Sequence, residues 1–191
     1  MKNRLNSAHD FVLKKHANQK RRFTGEPYVK HLEETAQLLW EVAPNSTEDD
    51  FIAAVLHDTV EDTDTNIDEI GQLFGCYVMK IVAELTSNST EKDRLGANIY
   101  MATKINNMSN NAFNIKLCDR LSNVVDLKHP IIPNAFVKYY WNNTNYILSN
   151  IERELDDTQK QLIDRISSML IYLRMTRDIS LYDMDISVNS N

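Results

Sequence analysis

The sequence predicts an all-α domain, and three observations carry that expectation. Glycine and proline are scarce, with four of each in 191 residues. No long segment alternates apolar and polar residues with period two, as half-buried strands do. Apolar residues instead recur at spacings of three and four along almost the whole chain. Hydrophobic residues make up 42% and charged residues 25%, the balance of an ordinary globule. No apolar run reaches eighteen residues, so no membrane-spanning helix is expected, and Met1 to Asn6 lacks the apolar centre of a secretory signal. Cys76 and Cys118 lie far apart, in segments that read as buried, without a C-x-x-C partner for zinc. Reduced thiols in a cytoplasmic protein are expected. A net charge of −6 argues against non-specific nucleic-acid binding. A small anionic ligand is still accommodated where basic groups converge, and the one dense basic stretch runs from Lys14 to Arg22.

In chain order, Leu5, Ala8 and Val12 give a first helix its apolar face. Thr24-Gly25-Glu26-Pro27 is turn chemistry, with proline suited to the first turn of the next helix. That helix spans about Tyr28 to Val42, with the stripe Val29, Leu32, Ala36, Leu39 and with His31 at the stripe's edge. Thr47 and Asp50 resemble a capping box, opening a third helix that carries Phe51 to Leu56 into an acidic patch. Thr65 is placed to cap a helix bearing Ile67, Ile70, Leu73 and Phe74; Gly75 punctuates it, and Val78, Ile81, Val82 and Leu85 form the next stripe. Ser87 to Asp93 reads as an exposed, mobile loop. Helices from about Arg94 to Asn106 and Asn110 to Leu127 follow, broken by His129-Pro130 and Pro133. Two long helices close the chain, one holding Tyr139, Tyr140, Trp141 and Ile147, the other Leu162, Ile166, Leu170 and Leu173. Residues 1–177 are read as one domain and 178–191 as a tail.

The chemistry concentrates in Ala53-Ala54-Val55-Leu56-His57-Asp58-Thr59-Val60-Glu61-Asp62. On a continuous helix Glu61 sits over His57 and Asp62 over Asp58. Carboxylates that crowded lose hydration and repel one another, so a cation is the natural compensation. The His57-Asp58 dipeptide alone fits equally well a core histidine bonded to a carbonyl. His31 on the preceding helix and Asp119, directly after apolar Leu117-Cys118, extend the set to two imidazoles and two carboxylates from three helices. That mixed donor set suits a divalent ion such as Mn, Fe or Zn with positions open to water, which would polarise a phosphoryl oxygen.

His31, His57-Asp58 and Asp119 match the H…HD…D pattern of the HD phosphohydrolase superfamily. Gly25-Glu26-Pro27-Tyr28-Val29-Lys30-His31, the run Ala53 to Thr63 and Ile115-Lys116-Leu117-Cys118-Asp119-Arg120-Leu121-Ser122-Asn123 further resemble the hydrolase domain of RelA/SpoT homologues. The final third is similar to the stand-alone small alarmone hydrolases of the Mesh type. The resemblance spans roughly residues 5 to 175. It implies an HD-domain helical bundle that removes the 3′-pyrophosphate of (p)ppGpp with Mn²⁺, with iron or zinc also accepted by the donors. It implies His31, His57, Asp58 and Asp119 as metal ligands and Glu61 and Asp62 as the catalytic acids. It also implies Arg21, Arg22, Asn123 and Tyr139 as contacts to a small nucleotide. Read without the family, the basic run is a solvated face and Tyr139 fits a core position equally well. No nucleic-acid or membrane partner is implied, and a synthetase domain is not expected after residue 191.

The sequence departs from the family pattern in places. Leu32 follows His31 where proline is usual, Ser122 stands for a frequent histidine and Cys118 for an alanine. Leu95-Gly96-Ala97-Asn98 occupies a region where relatives often carry a lysine or arginine to phosphate; Arg94 or Lys104 is placed to substitute. The substrate alternatives are therefore NADPH, as a 2′-phosphatase, or ppApp. A non-catalytic nucleotide-binding module is the reading outside enzymology.

Overall fold

Eleven α-helices and no β-strand make up residues 3–177 and 179, which are those described by the computed structural model. The helices are α1 (Arg4–Lys15), α2 (Val29–Val42), α3 (Glu48–Leu56), α4 (Thr59–Asp62), α5 (Ile67–Phe74), α6 (Cys76–Leu85), α7 (Ser89–Leu95), α8 (Ala97–Asn107), α9 (Asn110–Asp126), α10 (Asn134–Ser149) and α11 (Asp157–Thr176). The tail expected over 178–191 lies outside the described residues apart from Ile179. None of the described helices is long and apolar enough to cross a membrane.

α9 is the hub. Ala112, Phe113, Ile115, Leu117, Cys118, Leu121 and Val124 are all buried, so the helix has almost no solvent face. α2 and α11 pack along it, and α3 is enclosed by α1, α2, α6 and α9. α3 can occupy that centre because Ile52, Ala53, Ala54, Val55 and Leu56 are apolar in unbroken sequence and bury on every side. Its start is the predicted capping box: Thr47 accepts from the Asp50 amide while Asp50 accepts from the Thr47 amide. The Asp50 carboxylate also takes hydrogen bonds from Tyr77 and Asn111, which ties α3 to α6 and α9.

Several local expectations change. Asn66, not Thr65, caps α5, its side chain accepting from the Glu69 amide. Cys76 is exposed at the start of α6, whereas Cys118 is buried as expected. The stretch read as a loop, Ser87 to Asp93, is mostly helix α7, because Asn88 supplies an N-cap to the Glu91 amide that polarity alone conceals. Gly96, at φ +79°, then separates α7 from α8, so the helix expected from Arg94 starts at Ala97. With ψ 148° this backbone lies in a region only glycine adopts without strain. Gly96→Ala is therefore expected to cost roughly 1–3 kcal/mol, read as a lower midpoint in urea unfolding at unchanged slope.

Candidate metal centre and active site

The third helix does not continue through the acidic stretch. α3 ends at Leu56, and His57 and Asp58 form the junction with the single turn α4, which carries Glu61 and Asp62. Both junction residues keep right-handed helical angles, and the Asp62 amide still donates to the Asp58 carbonyl at 2.9 Å, so Asp62 stays one turn beyond Asp58 across a local distortion. Asp58 turns inward, partly exposed, while Glu61 and Asp62 are exposed at the rim. The break separates the acids that face the interior from those that face solvent.

Inside, His31 on α2, His57, Asp58 and Asp119 on α9 converge. His31 Nε2 lies 3.1 Å from Asp119 Oδ1 and 3.7 Å from Asp58 Oδ2; His57 Nε2 lies 3.1 Å from Asp58 Oδ2 and 3.8 Å from Asp119 Oδ1. One ligand atom from each of His31, His57 and Asp119 falls within 4.8 Å of the others. Both imidazoles are about 1% exposed, so water does not compensate them.

The surrounding hydrogen bonds fix the tautomers. His57 Nδ1 donates to the Ala54 carbonyl at 2.8 Å, an acceptor only. Ser122 donates its hydroxyl proton to Glu34 at 2.9 Å and accepts from His31 Nδ1 at 3.0 Å. Both Nδ1 atoms therefore carry the proton, and both Nε2 lone pairs point into the cluster, where neither finds a hydrogen-bond partner. Imidazole lone pairs facing carboxylate lone pairs repel unless a cation lies between them. This donor set, two neutral nitrogens and two carboxylates with their outer atoms already held, fits a divalent metal. Burial lowers the His57 pKa, but Asp58 and Asp119 outweigh it and carry it up to about 10, so a proton competes with the metal for the same place.

Further residues complete the shell. Burial lowers the Lys116 pKa, but Asp119 more than offsets it; the ammonium lies 2.8 Å from Asp119 Oδ2, one turn away on α9, and its pKa is raised. Asp119 is buried, which favours its neutral form, yet Lys116 and the two histidines hold it well below the usual carboxylate range. Asn123 donates to Asp119 Oδ1 at 2.6 Å. Tyr28 donates to Asp58 Oδ2 at 2.6 Å; burial first, and Asp58 second, push its pKa far up, so it stays a donor. Lys116 was findable from its i, i+3 spacing to Asp119. The roles of Tyr28 and Ser122 depend on contacts across helices and left no mark in the pattern.

Beside the metal cluster lies a cavity of about 160 Å³, whose lining includes Arg22, Phe23, Tyr28, Asn123, Phe136 and Tyr140. Arg21 also lines it but is spoken for: its guanidinium pairs with Asp126 and donates to Asn123 at 3.1 Å. Arg22 instead lies over the rings of Phe23 and Phe136, at 5.2 and 5.6 Å. Tyr139 is 59% exposed and its neighbour Tyr140 faces the cavity, beneath the Arg120 guanidinium at 4.9 Å. A larger groove of about 700 Å³ between α9 and α11 is lined by none of the predicted site residues. At the rim, Glu61 accepts from the Ser87 amide at 2.6 Å, and Asp62 accepts from Gln19 at 3.0 Å. Lys104 donates to the Thr86 carbonyl; burial first and Lys116 second lower its pKa to about 8, against the pull of Glu61.

An all-helical domain built around a buried cluster of two histidines and two aspartates defines a class, and residues 8–134 match the HD domain family. The human guanosine-3′,5′-bis(diphosphate) 3′-pyrophosphohydrolase MESH1 is 31% identical over 170 residues, covering 86% of this chain and 92% of the relative. The guanosine-3′,5′-bis(diphosphate) 3′-pyrophosphohydrolase of Aquifex aeolicus is 36% identical over 132 residues, 64% of this chain but 18% of the relative. The solved structure of a metazoan ortholog of SpoT, described as hydrolysing ppGpp and playing a role in starvation responses, superposes with a TM-score of 0.77. It shares 26% identity and covers 92% of this chain and 97% of that one. Lmo0812 from Listeria monocytogenes, at 22% identity and a TM-score of 0.60, shares the fold. The chain belongs to the HD-domain family, in the branch that holds the MESH1 pyrophosphohydrolases.

Asp119→Ala is expected to abolish stoichiometric metal binding, measured by elemental analysis of the purified protein. Ser122→Ala, which frees the His31 ring, is expected to weaken metal affinity roughly tenfold in a chelator competition titration.

Proposed function

We propose that this protein is a Mn²⁺-dependent 3′-pyrophosphohydrolase of ppGpp and pppGpp, releasing pyrophosphate and leaving GDP or GTP. Residues 1–177 form the catalytic domain. The observation that carries the reading is that Tyr28 and Asn123 belong to both the metal cluster and the cavity. A nucleotide seated against the aromatic and basic wall therefore presents its phosphates beside the donors His31, His57, Asp58 and Asp119. Family membership supports the same substrate, since the MESH1 relatives bear that activity in their names.

When bound, the ion supplies Lewis-acid polarisation of a phosphoryl oxygen. The chain does the rest. Arg22, without a carboxylate partner among the described residues and lying over two rings, offers both charge and a planar face to the nucleotide. Arg21 contributes by holding Asn123 and Asp126 in place rather than by presenting a free charge. Tyr139, exposed beside the cavity residue Tyr140, offers an aromatic contact to the nucleotide from outside. Glu61 and Asp62 are the proton acceptors at the rim, where water reaches the scissile bond. Lys104 takes the phosphate-binding place for which residues 95–98 offer no cation.

The test is a side-by-side assay of the Mn²⁺-loaded protein on ppGpp, pppGpp, ppApp and NADPH. Pyrophosphate release from the guanosine substrates is expected; inorganic phosphate from NADPH with nothing from ppGpp overturns the reading. Glu61→Gln and Asp62→Asn are each expected to lower kcat at least about a hundredfold. Lys104 is charged below its pKa of about 8 and neutral above it. KM for ppGpp should therefore rise as pH passes through 8, and Lys104→Met should be raised at every pH and flat across that window.

A further inference from the structure

The single turn α4 (Thr59–Asp62) has only four residues, too few to hold its own geometry. What holds its outer end comes from the loop after α1. His16 is 2% exposed, although it lies in the stretch whose charge reads as a solvated face. Its ring stacks on Tyr28, centroids 5.5 Å apart and planes 20° apart, and its Nε2 faces the Thr59 hydroxyl at 3.4 Å. Its Nδ1 bonds Gln19 Oε1, and the Gln19 amide nitrogen in turn reaches Asp62 Oδ2 at 3.0 Å.

The directions in this chain are not free. An ionised carboxylate only accepts, so Gln19 must turn its NH₂ toward Asp62 and its carbonyl oxygen toward His16. That oxygen accepts only, so His16 must carry its proton on Nδ1, leaving Nε2 to accept from Thr59. The backbone pre-sets the arrangement: the Gln19 amide donates to the His16 carbonyl at 3.0 Å, and the Gln19 carbonyl accepts from the Tyr28 amide at 3.0 Å. His16 thereby grips α4 twice, at Thr59 directly and at Asp62 through Gln19.

We propose that His16 and Gln19 are positioning residues for hydrolysis, a pair that orients the Asp62 carboxylate and presents a hydrogen-bond donor to it. The assignment rests on the role given to Asp62 under the proposed function. A pair that merely fastens the loop alters stability; a pair that orients the acid alters kcat.

The experiment measures kcat and KM for ppGpp on the Mn²⁺-loaded full chain, with metal content and thermal midpoint alongside. Gln19→Leu and Gln19→Glu are expected to lower kcat between about ten- and a hundredfold with KM within about twofold, the glutamate more, because it sets a carboxylate against Asp62. Metal content should remain stoichiometric. His16→Asn, whose amide nitrogen replaces the Nδ1 donor, should retain most of kcat, and His16→Gln, which mimics Nε2 instead, should not. Wild-type kcat in both Gln19 variants overturns the proposal, as does an equal loss in His16→Asn and His16→Gln. If the His16 variants unfold, the partly exposed Gln19 pair still decides. A wild-type protein inactive on ppGpp counts against the proposed substrate. The pair is then judged by ¹⁵N-resolved NMR of the ring, where a neutral Nδ1–H tautomer is expected and an Nε2–H tautomer overturns it.

Discussion

Two buried imidazole lone pairs facing two inward carboxylates are the constraint on which the rest of this structure depends. Among the described residues neither Nε2 has a hydrogen-bond partner, and both rings are about 1% exposed. Lys116 answers one of the two negative charges through Asp119, and a proton on His57, whose pKa is carried up to about 10, answers the other only by occupying the lone pair that faces Asp58. A divalent cation resolves this, and every neighbouring contact is arranged so that the donors face the place it would take: Ala54 and Ser122 hold the rings, Tyr28 and Asn123 hold the acids.

That requirement explains the architecture. Donors must come from helices that do not shift relative to one another, and α2, α3 and α9 meet in the most completely buried part of the core. α9 is buried on nearly all sides because it carries Asp119 and Lys116 inward while Asn123 serves as the link to the cavity. α3 is short and apolar from Phe51 to Leu56 because it delivers His57 to the centre and must then stop. The chain turns at His57-Asp58 so that the next two acids come out at the rim.

The helical fold was legible because burial of one face imposes its period on the sequence, and the apolar stripes of α1, α2, α6 and α11 were plain. The four inward donors were legible because an acid after Leu117-Cys118, or a histidine after four apolar residues, needs a reason to be there. What sequence could not supply was direction. Periodicity treats Ala53 to Asp62 as one helix, and only the structure shows the distortion at His57-Asp58, across which the Asp62 amide still bonds the Asp58 carbonyl at 2.9 Å while its side chain reaches solvent. Polarity marks Ser87 to Asp93 as a loop, although Asn88 starts a helix there. The basic run hid two opposite fates as well: Arg21 is tied to Asp126, Arg22 lies open on two rings, and His16 between them and α1 is buried.

The departure at residues 95–98 has a physical account of its own. Gly96 is required by its backbone, and Asn98 is already engaged, accepting from Asn143 at 2.6 Å. Asn143 in turn accepts from Arg120 at 2.8 Å, whose guanidinium supports the cavity residue Tyr140. A lysine in place of Asn98 would remove the brace behind the cavity residue Tyr140. Two turns further along α8, Lys104 extends to the Thr86 carbonyl, next to the Ser87 amide that Glu61 holds. A cation delivered from there leaves the Asn98–Asn143–Arg120 brace intact and still sits within the field of the acidic rim.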